Sequence, residues 1–243
     1  MDFLTSPEFW LALGQIIIID ILLGGDNAVV IALACRKLPP AQRTKGIIWG
    51  TAGAIVLRVI LIFFAMTLLS LPFLKFVGAL LLVWIGVKLL APDEDGHGDV
   101  AGSDKLLAAI KTIIVADLVM SVDNVIAIAG AAQNAGEHSL LLVSLGLVIS
   151  IPIIVWGSQL VIKLMERFPA IITLGGMLLG WIAGGMLVSD PWVADPEQLQ
   201  WMVKLPQTDA MRYVASVTGA LLVLVIGKVL AARHAAAAPA DHG

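Results

Sequence analysis

Seven long apolar runs limit what this chain can fold into. They cover roughly residues 9–34, 46–70, 72–90, 105–133, 139–162, 169–188 and 211–232 of the 243. About 18 apolar residues are enough to cross roughly 30 Å of hydrocarbon as a helix. Lipid offers no water to exposed backbone, so each run must satisfy its hydrogen bonds internally. The composition agrees, with 59% hydrophobic and only 14% charged residues and a mean hydropathy of +0.97. A soluble domain carries about a quarter charged residues. The expectation is an all-α, polytopic membrane protein of seven transmembrane helices, a single membrane domain over residues 1–243. Pro39-Pro40, Pro72, Pro92 and Pro169 mark helix boundaries.

Basic residues predict the orientation. With the N-terminus outside, Arg36, Lys37, Arg43, Lys45, Lys88, Lys105, Lys111, Lys163, Arg167, Lys228 and Arg233 fall in the cytoplasm. Only Lys75, Lys204 and Arg212 fall outside. Lys/Arg bias sets topology, so the chain reads as N-out and C-in, in a membrane of the bacterial inner-membrane type. The acidic, Gly-rich segment 91–104 reads as a flexible cytoplasmic linker. Its Asp93, Glu94, Asp95, His97 and Asp99 are better explained as a solvated face than as a metal sensor. Trp192 and Trp201 suit an interfacial aromatic belt. The single Cys35 excludes an internal disulfide and a Cys-based structural zinc site. The start MDFLTSPEFW has no basic region and is not expected to be a cleaved leader. No basic patch points to nucleic acid as a partner.

Within the apolar runs one pattern is written twice. IIIIDILLGGDNAVVIA spans Ile16 to Ala32, and IIVADLVMSVDNVIAIA spans Ile113 to Ala129. A shift of 97 residues places Asp20 on Asp117, Asp26 on Asp123 and Asn27 on Asn124. A carboxylate in a bilayer is costly unless paired or solvated, so each is a functional-site candidate. Each copy opens a set of three apolar runs, giving repeats over 9–90 and 105–188 with 211–232 as a seventh helix outside them. An odd number of helices inverts the second repeat relative to the first. Inverted repeats in secondary transporters place the substrate site near the midplane between them.

Asp20 follows Glu8, and Asp117 follows Lys105, by twelve residues. At 1.5 Å per residue each lies about 18 Å from its own face of the membrane, near the middle. Asp26 and Asp123 lie about 9 Å further on, towards opposite faces. The four carboxylates thus form a ladder. A spacing of six residues turns two side chains roughly 120° apart on a regular helix. A break is therefore expected at Gly24-Gly25, with a weaker distortion near Ser121.

Carboxylate and amide oxygens are hard donors suited to Mg²⁺, Ca²⁺ and Mn²⁺, whereas Zn²⁺ and copper favour thiolate and imidazole. No histidine falls in an apolar run; His97, His138, His234 and His242 are in loops or the tail. Asp20, Asp26, Asn27, Asp117, Asp123 and Asn124 are the candidate metal ligands. The metal is expected as a substrate, with no permanently bound cofactor. Four ionised aspartates around one divalent ion would leave a net charge of about −2 in a low-dielectric site. Protons are thus the expected counter-ion, displaced when metal binds. Arg58, deep in the second run, is expected to compensate charge by pairing with one of the aspartates. Ser144, Ser150, Ser158 and Gln159 are expected to serve packing or backbone bonding, and Gly176, Gly180 and Gly184 to form a close-packing face.

GGDNAVVIA at 24–32 and SVDNVIAIA at 121–129, each with an Asp upstream, resemble the TerC family of integral membrane proteins, within the lysine-exporter superfamily. The resemblance covers essentially the whole chain. It implies export, chiefly of manganese in several bacterial members, and a historical link to tellurium resistance. It would assign the ion site to the same six Asp and Asn residues. Two alternatives remain open. One is an intramembrane aspartyl protease, although Leu23-Gly24-Gly25-Asp26 stands where Gly-x-Gly-Asp is wanted and no Pro-Ala-Leu element follows. The other is a membrane assembly factor whose aspartates contact partner helices.

Overall fold

A computed structural model describes residues 7–64, 71, 73–91, 102–133, 139–190 and 208–237; for 8, 23, 102, 123, 125–133, 139–140 and 234–237 it describes the backbone alone. These residues form eight helices: α1 (Pro7–Leu23), α2 (Gly25–Cys35), α3 (Pro40–Phe63), α4 (Leu74–Leu90), α5 (Gly102–Gln133), α6 (Ser139–Arg167), α7 (Ala170–Val188) and α8 (Asp209–Ala237). Each of the seven apolar runs contains a helix among its described residues, and the first is split in two. Among the described residues, four helices are long and apolar enough to cross a membrane, or five if the bent α1–α2 pair counts as one span. The seven-span expectation is thus met only in part. α4 has 17 residues, at the lower limit for a span, and α5 carries Asp104, Lys105, Lys111, Asp117 and Asp123 along its length. Residues 92–101 of the linker 91–104, together with Trp192, Trp201, Lys204 and His138, lie outside the described residues.

The chain divides into two compact units, residues 1–71 with 105–164 and residues 72–104 with 165–243. These units cut across the sequence repeats. Helices α1, α2 and α3 of the first copy share a unit with α5 and α6 of the second. The last helix of each copy, α4 and α7, shares the other unit with α8.

In the first unit, small residues allow helices to approach and so set the register of the polar groups that follow. A Cβ added to Gly146 of α6 would lie 2.6 Å from Cγ2 of Ile16 on α1. One turn further along each helix stand Ser150 and Asp20. A Cβ on Gly50 of α3 would lie 2.5 Å from Cδ1 of Ile113, and one on Gly53 would lie 2.6 Å from Cδ1 of Ile114 on α5. One turn beyond Ile113 stands Asp117. An apolar core of Phe9, Leu13, Ile16, Ile55, Leu61, Ile62, Leu142, Val143 and Leu147 joins α1, α3 and α6.

In the second unit, α7 lays its glycines against its neighbours, as small-residue spacing in membranes predicts. A Cβ on Gly180 would lie 2.3 Å from the Gly219 carbonyl oxygen, and one on Gly184 2.1 Å from that of Ala215, both on α8. Gly176 meets the Leu90 side chain of α4 in the same way. The buried Asp190 accepts from the backbone N–H groups of Lys75 (3.0 Å) and Phe76 (3.1 Å), satisfying donors that α4 leaves open at its start. The outward faces carry exposed Trp10, Trp49, Trp84, Trp156, Leu22 and Val77, as a lipid-facing surface requires.

Candidate functional site

The break between α1 and α2 falls on Gly24, and the two axes are bent by 48°. A Cβ on Gly24 would stand 2.5 Å from the backbone carbonyl oxygen of Asp20, which cannot be moved aside like a side chain. Gly25 plays a different part. It is the first residue of α2, and a Cβ there would meet nothing within 4 Å. The distortion expected near Ser121 does not occur, because α5 runs unbroken from Gly102 to Gln133. The 97-residue shift explains the difference by placing Ser121 where the first copy has Gly24. Ser121 directs its hydroxyl to the Asp117 carboxylate one turn earlier and leaves the backbone ladder intact.

The two central aspartates come together around Arg58. Nη1 donates to Asp20 Oδ1 at 2.5 Å, Nη2 donates to Asp117 Oδ1, and Nε donates to Ser121 Oγ at 3.0 Å. Ser121 Oγ donates in turn to Asp117 Oδ2 at 3.1 Å, and Ser150 Oγ donates to Asp20 Oδ2. All four carboxylate oxygens therefore have a donor. Asp20, Ser121 and Ser150 are fully buried, with Arg58 at 2% and Asp117 at 6% exposure. Arg58 was expected to pair with one aspartate; it bridges two. A guanidinium presents a flat fork of donors, which lets one side chain serve both carboxylates and a hydroxyl.

Asp26 stands apart from this network. It lies half-buried in the first turn of α2, where its Oδ1 accepts from the Asn27 backbone N–H at 2.8 Å. Asn27 is buried, and neither its Oδ1 nor its Nδ2 has a partner among the described residues. Asn124 is half-buried on α5, and the Asp123 side chain lies outside the described residues. Among the described residues, no three His, Cys, Asp or Glu side chains cluster closely enough to hold a metal ion. What stands between the central aspartates is the guanidinium.

A cavity of about 20 Å³ opens beside Arg58 and Asp117, and Asn27 and Thr51 reach its wall. The sequence assigns Ser150 and Ser158 to packing or backbone bonding and gives no signal for Thr51. Ser158 bonds the Ile154 carbonyl at 2.8 Å, and Ser150 lies 2.9 Å from the Leu147 carbonyl while also reaching Asp20 Oδ2, a role the sequence does not indicate. Ser121 carried a local signal, since it lies one turn from Asp117 on the same face. Ser150 carried none, because its position depends on how α6 packs against α1.

Apolar helices, a lipid-like outer surface and a buried Asp–Arg–Asp network define an integral membrane protein with an ionic centre inside a helical unit. The chain belongs to the integral membrane protein TerC family, whose sequence profile it matches over residues 5–235. It is 44% identical over 183 residues to the uncharacterized membrane protein YjbE of Bacillus subtilis, covering 75% of this chain and 82% of that one. It is 27% identical over 185 residues to the inner membrane protein YgdQ of Escherichia coli K12, covering 69% of this chain and 76% of that one. No solved structure matches it.

Proposed function

We propose that this protein is an exporter of a divalent cation, with Mn²⁺ as its cargo and protons as its counter-ion. In this reading seven spans form two inverted repeats plus a last helix, with the N-terminus outside and the C-terminus in the cytoplasm. The observation that carries the proposal is the bridge from Asp20 to Asp117 through Arg58. One carboxylate comes from each copy of the repeated pattern, and a cation already occupies the position between them. A pair of buried carboxylates that binds a guanidinium offers a hard-oxygen site to a divalent ion once the arginine withdraws. Asp26, Asn27, Asp123 and Asn124 flank that centre on α2 and α5 and supply further oxygen ligands along the path.

The same geometry disfavours hydrolysis. An aspartyl dyad shares a proton and activates a water between its carboxylates, whereas Asp20 and Asp117 here face a guanidinium. The test is isotope flux in reconstituted vesicles with a panel of divalent metals, together with cellular manganese in Asp26→Asn and Asp123→Asn strains. An exporter gives Mn²⁺ flux in the vesicles and raised cellular manganese in both mutants. Unchanged manganese at normal expression, with no flux by the wild type, rejects the proposal.

A further inference from the structure

The donors around the central aspartates are divided between two kinds of group. Arg58 serves both Oδ1 atoms, that of Asp20 through Nη1 and that of Asp117 through Nη2. Serines serve both Oδ2 atoms, Ser150 at Asp20 and Ser121 at Asp117. When the guanidinium leaves, one oxygen of each carboxylate is freed while the other stays held by a hydroxyl. The freed oxygens belong to different helices, α1 and α5, and flank the space of one planar cation. The serines therefore keep in place the carboxylate pair that the arginine vacates. Beside Arg58 and Asp117 the cavity of about 20 Å³ gives the side chain slack on one face.

We propose that Arg58 is a tethered cation that competes with the cargo for the Asp20–Asp117 pair, so that the pair admits divalent ions over monovalent ones and releases them when the guanidinium returns. The inference rests on the exporter reading and says how its central site selects and lets go. Selection follows from charge. A monovalent ion brings only the single charge the guanidinium already supplies, and it must displace hydrogen bonds to Asp20, Asp117 and Ser121. A divalent ion brings a second charge and neutralises both carboxylates. Its competitor is anchored on α3, so it acts at a fixed effective concentration whatever the solution contains. Release follows from the same tether. An ion held by two buried carboxylates would leave them bare as it departed, whereas the returning guanidinium replaces it.

Full-length wild type, Arg58→Gln, Arg58→Lys and the double variant Asp20→Asn with Arg58→Gln are titrated with Mn²⁺ by electron paramagnetic resonance in detergent, with and without Na⁺. All four are then assayed for Mn²⁺ flux in proteoliposomes. A minor conformer is typically about 0.1–10% populated, and apparent affinity is reduced by that fraction. Arg58→Gln removes the competitor, so it should bind Mn²⁺ about 10-fold more tightly or better while its flux falls. Na⁺ should compete with Mn²⁺ in Arg58→Gln and not in the wild type. Lysine is a point charge without the planar fork, so Arg58→Lys should fall between the two. The double variant keeps one carboxylate and should lose the gain. Mn²⁺ should also raise the unfolding temperature of Arg58→Gln more than that of the wild type, which an arginine with a purely structural role would not produce. If Arg58→Gln does not fold, Arg58→Lys carries the same comparisons. Mn²⁺ affinity that is unchanged or weaker in the Arg58 variants, with flux intact in the wild type, overturns the inference and leaves the exporter reading standing. A wild-type protein that moves no Mn²⁺ overturns both.

Discussion

Arg58 of α3 and Asp20 of α1 meet at 2.5 Å inside the protein, and the same guanidinium also binds Asp117 of α5. Two carboxylates and one guanidinium sum to a formal charge of −1 in a site that water scarcely reaches. Arg58→Gln leaves two buried carboxylates without their cation. Removing one partner of a buried ion pair costs about 3–5 kcal/mol. We expect thermal unfolding in detergent to fall accordingly, and the double variant Asp20→Asn with Arg58→Gln to recover much of the loss. Recovery absent from the double variant would mean that Arg58 stabilises through packing alone.

Ser150 gives a smaller, sharper effect. Ser150→Ala removes the hydroxyl that donates to Asp20 Oδ2 while leaving the Arg58 bridge in place. A hydrogen bond to a charged group contributes about 1.5–3 kcal/mol, and the loss of stability should fall in that range. Ser158→Ala, whose hydroxyl only supplements a backbone carbonyl on the same helix, should cost less, about 0.5–1.5 kcal/mol, the net worth of a neutral hydrogen bond. Equal effects at the two positions, read by the same unfolding assay, would contradict the network.

The adjacent glycines of the α1–α2 break should not be equivalent. Gly24→Ala forces a Cβ against the Asp20 carbonyl, so the bend must open and Asp20 must shift from Arg58. We expect Gly24→Ala to lose stability and Mn²⁺ flux. Gly25→Ala meets no atom and sits in the first turn of α2, where replacing glycine should stabilise by about 0.4–1 kcal/mol. Unfolding temperature and flux of the two variants, compared side by side, decide it.

In the second unit, Gly184→Ala places a methyl 2.1 Å from the Ala215 carbonyl oxygen. Backbone atoms on both sides must part, and overpacking of this kind costs about 1–3 kcal/mol or more. The effect should appear in unfolding while the Mn²⁺ affinity of surviving protein stays at its wild-type value, since the Arg58 network lies in the other unit.

The proposed proton exchange fixes the sign of a pH experiment. In that proposal protons move against the metal, so acidifying the compartment that receives Mn²⁺ should speed flux and acidifying the donor compartment should slow it. Flux indifferent to the direction of the pH gradient in proteoliposomes would remove protons as the counter-ion.

Sequence and structure part company in instructive places. Helix positions were legible because proline, glycine and charge punctuate the apolar runs; the run expected over 72–90 is helical from Leu74 to Leu90. The meeting of Asp20 with Asp117 was foreshadowed by the repeat and by a single deep arginine. The break was legible at Gly24 because only glycine tolerates a carbonyl so close. At Ser121 the six-residue spacing suggested a distortion, but α5 is unbroken there, and serine in that register has a carboxylate to bond and no need to unwind. Ser150 and Thr51 were illegible for a common reason. A lone hydroxyl in an apolar helix looks the same whether it faces its own backbone, a carboxylate or a cavity, and only the packing of another helix decides.

The Asp20–Arg58–Asp117 bridge also has a mechanical consequence. One guanidinium ties α3 to α1 and to α5, and Ser150 adds α6 through Asp20. Four helices are therefore pinned at a single point inside the unit. Any motion that parts α1 from α5 must first break a charge-assisted hydrogen bond, so the network acts as the latch on relative helix movement.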